Sequence, residues 1–430
     1  MHSAVIRGPA QSNTAPLVVD LEGALLKTNR LLESLLVLLK QNPLLLFVLL
    51  VWLLRGKSFF KQQVAHRGPL EVSLLPYRED VLNCLRAQHA QGRRLLLATT
   101  VDLDFAWQVA RHLKIFDAAF VSDRPVAASL ESGLPTPPRR AFAAYLKPLR
   151  LRHWLKNLLV FVPVFAAHRF VEPAMLAKTL LAFLAFGCCA SSGYLVNDLF
   201  DLAADRHHPQ KRFRSFAAGD LPLGYGLAAI PVLAGLGLLT GLLVSPLLLG
   251  ALLLYMTLTT AYSFWMRRVA LLDVIALAGL YTMRILAGSA AVAIRPSHAL
   301  LAFSTFLFFS LALVKRYGEL VIMRSIDGEN AKARGYQLSD EELLASMGIA
   351  SGYLAVLVLA LYINSATAHV LYRHYQVMWL LCPLVLYWTS HTWLTAHRGK
   401  MPDDPLVFAT HDRTSRFLIL LMLTVILIAL

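Results

Sequence analysis

The chain has 430 residues, a formal net charge of +15 and 57% hydrophobic residues, and its mean hydropathy is +0.57. This composition is too apolar for a water-soluble protein of this length and indicates a polytopic membrane protein. Most of the excess Lys and Arg lies beside apolar segments, which favours anionic lipid headgroups and phosphorylated substrates over nucleic acid as partners.

The first part of the chain is predicted to be a small α/β domain. Residues 1–15 lack the apolar core of a secretory signal and are predicted to be disordered. Within 16–140, short apolar runs at 17–20, 95–100 and 118–122 alternate with helical patterns. This alternation predicts a parallel sheet with Asp20 at the carboxyl end of a strand, where such folds place their ligands.

Two short motifs in this domain resemble the haloacid dehalogenase (HAD) phosphatase superfamily. They are Asp-Leu-Glu-Gly-Ala-Leu at 20–25 and Leu-Ala-Thr-Thr at 97–100. The resemblance implies that Asp20 stands at the nucleophile position, Glu22 at the general-acid position that is usually Asp, and Thr99 in the second motif. Because the family's phosphate-binding Lys and paired acids have no good match before the spans, we expect a shortened, inactive HAD-like domain. A surviving phosphatase is the alternative.

Between these motifs, an apolar stretch from residue 31 to 54 is interrupted by Lys40, Asn42 and Pro43. The pieces are shorter than the roughly 20 residues that a transmembrane helix requires. We therefore expect an apolar interfacial helical hairpin at about 31–63, lying on the membrane.

The remainder of the chain, 145–430, is predicted to be a membrane domain of about nine transmembrane helices. The spans are expected near 155–169, 176–196, 223–244, 246–264, 270–292, 298–314, 345–363, 375–396 and 416–430. Polar loops at 197–222, 265–269, 315–344 and 397–415 then share one side and are rich in Lys and Arg. The positive-inside rule places these loops and the N-terminal domain on the cytoplasmic side of the cell (inner) membrane.

A dense polar cluster directly follows the second predicted span. Asp198, Asp201 and Asp205 lie at i, i+3 and i+7, so a helix continuing out of the span would carry three carboxylates on one face. Mg²⁺ binds to a few carboxylates and completes its shell with water and phosphate oxygens. Candidate phosphate donors follow at once: Arg206, Lys211, Arg212 and Arg214. The alternative is a charged helix cap followed by an ordinary basic loop.

A second set of polar residues is predicted at the same membrane face. Asp273 begins a span, and Arg284 follows about three helical turns later, roughly 16 Å deeper. An Arg near the bilayer midplane is costly unless it faces a polar cavity or a partner, so Arg284 is either a site residue or half of an interhelical ion pair. The other candidates on this face are Tyr262, Arg267, Lys315 and Arg316.

The segment from Asn197 to Gly219, with Tyr262-Ser263 ahead of Asp273 and Arg284, resembles the UbiA superfamily of intramembrane prenyltransferases. The resemblance covers about 145–430 and implies a mainly α fold of nine spans, with two Asp-bearing motifs that face the cytosol. It implies metal ligation and catalysis by Asp198, Asp201, Asp205 and Asp273, and it adds Lys156, Asn157 and Asn197 to the substrate-binding set.

Within the superfamily, the sequence most resembles the decaprenyl-phosphate phosphoribosyltransferase branch. The residues that carry this likeness are 205–212, Trp154-Leu155-Lys156-Asn157, and Lys315-Arg316 with Glu319. Leu277 follows Asp273 by four residues where many aromatic prenyltransferases have a second acid. The branch implies Mg²⁺-dependent transfer of 5-phosphoribosyl from phosphoribosyl diphosphate to a polyprenyl phosphate.

Two other functions are weighed against this one. Prenyl transfer from a polyprenyl diphosphate to an aromatic acceptor such as 4-hydroxybenzoate keeps the fold and the metal. A non-catalytic lipid transporter would use the intramembrane charges for substrate passage. The many Arg and Lys residues favour the phosphoribosyl reaction, because its two substrates together present three phosphate-bearing groups.

Overall fold

The computed structural model describes residues 16–42, 44–100, 102–122, 142–327, 332–333, 335–402 and 404–430. The protein is mostly helical, at 77%. It divides into two compact units, one formed by Met1–Leu149 with Tyr194–Ile230 and the other by Arg150–Gly193 with Pro231–Leu430. The disordered segment predicted at 1–15 lies outside the described residues.

The first unit contains a three-stranded parallel sheet in the order β1-β2-β3. Its strands are β1 Leu17–Asp20, β2 Leu95–Thr99 and β3 Ala118–Val121. Leu17 pairs with Leu95, and Leu96 pairs with Ala118. This pairing confirms the predicted parallel sheet. The apolar strand residues share a core with the helices that precede and follow β2 in the chain.

Among the described residues of the N-terminal segment, five α-helices accompany this sheet. They are α1 Arg30–Gln41, α2 Leu45–Leu54, α3 Lys57–Arg67, α4 Glu79–Ala90 and α5 Leu103–Leu113. The Asn29 side chain caps α1 by accepting from the Leu32 amide at 3.1 Å. The stretch predicted as a hairpin at about 31–63 contains three helices, α1 to α3. Helix α2 is apolar and largely exposed, with Leu49 and Trp52 buried.

Short helices link this segment to the membrane region, and long helices follow. These elements are α6 Phe142–Leu146, α7 Val162–Ala166, α8 Pro173–Phe200, α9 Leu202–His207, α10 Leu223–Val244, α11 Pro246–Phe264, α12 Leu272–Val292, α13 His298–Asp327, α14 Glu341–Ile363, α15 Ala366–Leu371, α16 Leu381–His397, α17 Pro405–His411 and α18 Arg413–Ala429. A small hairpin, β4 Lys332–Ala333 with β5 Tyr336–Gln337, lies between α13 and α14.

Six helices in the described part of the chain are long and apolar enough to cross a bilayer, which makes this a multi-pass membrane protein. They correspond to the predicted spans from 176–196 to 345–363. The first predicted span differs, because Leu151–Phe161 is a 3₁₀ helix that leads into the short α7. Helices α16 and α18 have 17 residues each, so the count of nine spans stays a prediction.

Within the second unit, α13 packs on both α12 and α14. Apolar side chains from these helices and from α16 form one buried cluster that includes Leu313, Tyr317 and Trp393. Gly288 lets α12 approach the chain at Val160 so closely that an added methyl group would overlap the Val160 carbonyl. This packing fixes the polar residues on α12 and α13 relative to each other.

Candidate active site

The first aspartate motif lies in the first unit, where α8 ends. Helix α8 stops at Phe200, Asp201 adopts φ −101° and ψ 14°, and α9 begins at Leu202. The prediction of one helix carrying three carboxylates on one face is therefore wrong at Asp201. The two helices stay almost continuous, because the Asp201 amide donates to the Asn197 carbonyl at 2.9 Å and the Asp205 amide to the Asp201 carbonyl at 2.7 Å.

The three carboxylates of this motif contact two different cations. Arg214 Nη1 lies 3.4 Å from Asp198 Oδ1 and 2.7 Å from Asp205 Oδ2. Asp201 instead accepts from Lys40 Nζ of α1 at 3.0 Å. Asp198 and Asp205 are buried, and Asp201 is partly exposed. Arg214 was predicted as a phosphate donor, and that role stays a prediction; sequence reasoning gave Lys40 no part in the motif.

The other basic residues of the motif occupy different environments. The Arg206 guanidinium donates to both carboxylate oxygens of Glu33 on α1, with Nη1 to Oε2 at 3.0 Å, and its Nε donates to the Ala217 carbonyl at 2.9 Å. Arg206 therefore donates to groups of the protein itself, whereas the sequence predicted that it would bind phosphate. Arg212 is exposed, whereas Lys211 and Asn197 are partly buried.

The second aspartate motif lies in the second unit and is centred on Arg316. Its guanidinium donates to Asp273, to Glu319 at 2.6 Å and to the Tyr262 hydroxyl at 2.9 Å. Asp273 and Arg316 are both buried, at 0% and 1% exposed. The structure therefore joins three predicted site residues, Tyr262, Asp273 and Arg316, in one network.

Tyr336 completes this network, and sequence reasoning missed it. Its hydroxyl donates to Asp273 Oδ1 at 2.5 Å and accepts from the Leu271 amide at 2.8 Å. No sequence signal marks this residue, because it lies 63 positions from Asp273, in the short strand β5. Arg267 lies in the partly buried 3₁₀ turn Met266–Arg268 before α12.

Arg284 is buried inside the second unit at 4% exposed. Its Nε donates to Asn157 Oδ1 at 3.0 Å, and its guanidinium carbon lies 5.1 to 5.5 Å from the ring centroids of Phe186, Tyr255 and Tyr281. Among the described residues its contacts are an amide, a carbonyl and aromatic faces. The interhelical ion pair considered from the sequence is therefore absent from the described contacts. Cation–π attraction takes its place.

Lys156 and Asp404 form a further ion pair in the second unit. Asp404 also caps α17, because it accepts from the Leu406 amide at 3.1 Å. Burial favours the protonated form of Asp404, but Lys156 and Lys315 outweigh it and lower the pKa. Asp404 thus brings Lys156 and the positive charge of Lys315 beside one carboxylate.

The residues of the HAD-like resemblance also meet in space. Asp20 accepts from the Glu22 amide at 3.0 Å, and the Thr99 hydroxyl donates to Glu22 Oε1 at 3.1 Å. Burial, with the nearby charge of Asp20, raises the pKa of Glu22 against the lowering by Thr99 and Arg30. This convergence places the three side chains together at the carboxyl edge of the sheet. The HAD-like identity of the domain, and any activity, stay predictions.

The donor set of the first motif suits Mg²⁺, since its three carboxylates offer only oxygen ligands on neighbouring turns. In the part of the chain that the structure describes, no group of three or more His, Cys, Asp and Glu is arranged to hold a metal ion. The carboxylates of the motif form ion pairs with Lys40 and Arg214. These two cations neutralise the charge that a bound metal would neutralise.

Comparisons with known proteins bear on both the fold and the site. The sequence profile described as "UbiA prenyltransferase family" matches residues 158–411. The uncharacterized protein y4nM of Sinorhizobium fredii is 32% identical over 458 residues, covering 94% of this chain and 89% of y4nM. Decaprenyl-phosphate phosphoribosyltransferase of Mycobacterium tuberculosis is 34% identical over 196 residues, covering 44% of this chain and 64% of that enzyme.

Among solved structures, a UbiA homolog from Archaeoglobus fulgidus bound to GPP and Mg²⁺ shares the fold. Its TM-score is 0.51 at 17% sequence identity, and the match covers 66% of this chain and 99% of that one. At this identity the likeness shows the fold alone.

Proposed function

Because the chain belongs to the UbiA prenyltransferase family, we propose that it transfers 5-phosphoribosyl from phosphoribosyl diphosphate to a polyprenyl phosphate. We place the active site on the cytoplasmic side of the inner membrane, where the basic loops are expected. The family description and the relatives that are transferases favour an enzyme over the lipid-transporter hypothesis.

The observation that carries the proposal is the composition of the second motif. Asp273 is the one acid on α12, it is bound by Arg316 and Tyr336, and Leu277 stands where aromatic prenyltransferases often have a second acid. The lack of that second acid at Leu277 favours the phosphoribosyl branch, as does the similarity to decaprenyl-phosphate phosphoribosyltransferase.

In this proposal, Asp198, Asp201 and Asp205 supply oxygen ligands for Mg²⁺ at the first motif, and Asp273 supplies a ligand at the second. When bound, Mg²⁺ neutralises negative charge on the diphosphate leaving group. Lys211, Arg212 and Arg214 bind diphosphate oxygens through charge-assisted hydrogen bonds. These contacts favour departure of the diphosphate as positive charge develops at the ribose C1.

The chain has little need of a general base for this reaction. A phosphate monoester has a second pKa of about 6, so the attacking lipid phosphate is already largely ionised near neutral pH. Lys156, Lys315 and Arg284 are proposed to orient anionic substrate groups, with Asn157 fixing the Arg284 side chain. Glu319 orients Arg316 in the same way.

The test is transfer of label from ribose-labelled phosphoribosyl diphosphate to a polyprenyl phosphate by the purified protein with Mg²⁺. We expect label in the organic phase, and its loss in Asp201→Asn. Asp220→Asn is the matched control, because Asp220 is exposed in the same unit outside the motif. Absence of transfer by folded protein, together with prenylation of 4-hydroxybenzoate from a polyprenyl diphosphate, would replace this proposal with the aromatic one.

A further inference from the structure

Helix α1 of the N-terminal domain contacts the first aspartate motif within one compact unit. Glu33 and Lys40 lie seven residues apart on α1, about two turns, and therefore share a face of that helix. Glu33 binds Arg206, and Lys40 binds Asp201. Gly219, at φ +71°, packs so tightly that an added methyl group would contact Lys27 and Pro76. The N-terminal domain thus reaches both ends of the motif.

The two ion pairs differ in burial, and this difference suggests different roles. The Arg206 and Glu33 side chains are 8% and 3% exposed, so this pair is a fixed anchor. The Lys40 and Asp201 side chains are 33% and 18% exposed, so solvent can reach this pair. Partly exposed ion pairs are weak and exchangeable, because water and salt compete for both charges.

Asp201 is also one of the carboxylates proposed to bind Mg²⁺, and its Oδ1 lies 3.0 Å from Lys40 Nζ. A carboxylate oxygen that accepts a hydrogen bond from an ammonium group is less available to a metal ion. Arg214 contacts the other two carboxylates, Asp198 and Asp205. Lys40 of α1 supplies the positive charge beside Asp201.

We propose that Lys40 is a positioning residue of the N-terminal domain that binds Asp201 and competes with a divalent cation for it. Glu33 anchors α1 on Arg206, which keeps Lys40 within reach of Asp201. The inference rests on the proposed function in one respect, since it requires that Asp201 bind a divalent cation. It gives the N-terminal domain a role in setting the metal affinity of the membrane enzyme.

The proposal predicts the direction of a change in metal affinity. Replacing Lys40 with a neutral side chain removes the competing charge, so the dissociation constant for a divalent cation should fall. The strength of exposed ion pairs corresponds to a decrease of about twofold to fivefold. Lys40→Arg keeps the charge and should keep the wild-type value. A merely structural role for Lys40 predicts unchanged or weaker binding in the neutral variant.

The experiment measures Mn²⁺ binding to the full-length protein in nanodiscs by electron paramagnetic resonance, without substrate. The neutral variants are Lys40→Met and Lys40→Gln, so that misfolding of one leaves the other. Lys61→Met is the matched control, because Lys61 is exposed on α3 of the same unit. Tighter binding in the neutral variants alone is the expected result. Unchanged or weaker binding in both would overturn the proposal.

Asp201→Asn separates this inference from the proposed function. Loss of Mn²⁺ binding in Asp201→Asn establishes the first motif as the metal site that the inference needs, and equal binding in wild type and Asp201→Asn overturns the inference. Failure of phosphoribosyl transfer, with Mn²⁺ binding and the Lys40 effect intact, refutes the proposed reaction and supports the role of Lys40.

Discussion

Replacing Glu33 with Met should destabilise the first unit strongly. The change leaves the Arg206 guanidinium buried beside α1 without its counter-charge. Removing one partner of a buried ion pair typically costs about 3–5 kcal/mol, because the remaining charge is desolvated and unpaired. For a unit of this size, that loss corresponds to a fall in melting temperature of about 6–20 °C.

Thermal unfolding of the detergent-solubilised full-length protein measures this effect in Glu33→Met, Arg206→Met and the double variant. The double variant should recover most of the loss, since apolar side chains of similar volume often replace a buried pair without cost. Glu71→Met is the control, because the Glu71–His207 pair is 3.5 Å apart and more than half exposed on both sides. A single variant no worse than this control, or a double variant as unstable as the singles, would refute the argument.

Two further predictions concern the second unit. Gly288→Ala should lower the stability of this unit by about 1–3 kcal/mol, because the new methyl group overlaps the Val160 carbonyl. Gly279→Ala on the same helix meets open space and should be tolerated. Thermal melting of the two variants measures the difference. Burial, together with the charge of Lys156, lowers the pKa of His153 from 6.5 to about 4, so the unfolded chain takes up this proton at a higher pH than the folded chain. The melting temperature should therefore fall as the pH decreases from about 6.5 to 4. If it falls equally steeply with pH in His153→Gln, another group is responsible.

The helices of the membrane region could be predicted because a span leaves a long apolar run in the sequence. Spans predicted at 223–244 and 246–264 coincide with α10 and α11. Regular spacing also identified Asp198, Asp201 and Asp205 as a group. What the spacing missed is the helix break at Asp201, because the pattern of acids is compatible with either a continuous or an interrupted helix.

The partners of the site residues could not be predicted from local pattern. Lys40 lies 161 positions from Asp201, and Glu33 lies 173 positions from Arg206. In the sequence, Lys40 was interpreted only as a residue that interrupts an apolar stretch. Tyr336 was missed for the same reason, since tertiary packing brings it to Asp273. Sequence reasoning identified residues with costly charges, and the fold determines which groups compensate them.

The composition of the first compact unit has a practical consequence for truncation. The chain changes character near residue 141, yet this unit combines the N-terminal segment with Tyr194–Ile230. A fragment that starts after the α/β domain would strip Arg206 of Glu33 and Asp201 of Lys40. We therefore expect the membrane region expressed alone to lack both ion pairs and to be less stable at Arg206 than the full-length protein. In a homologue without such a domain, we expect other residues to balance the charges at these two positions.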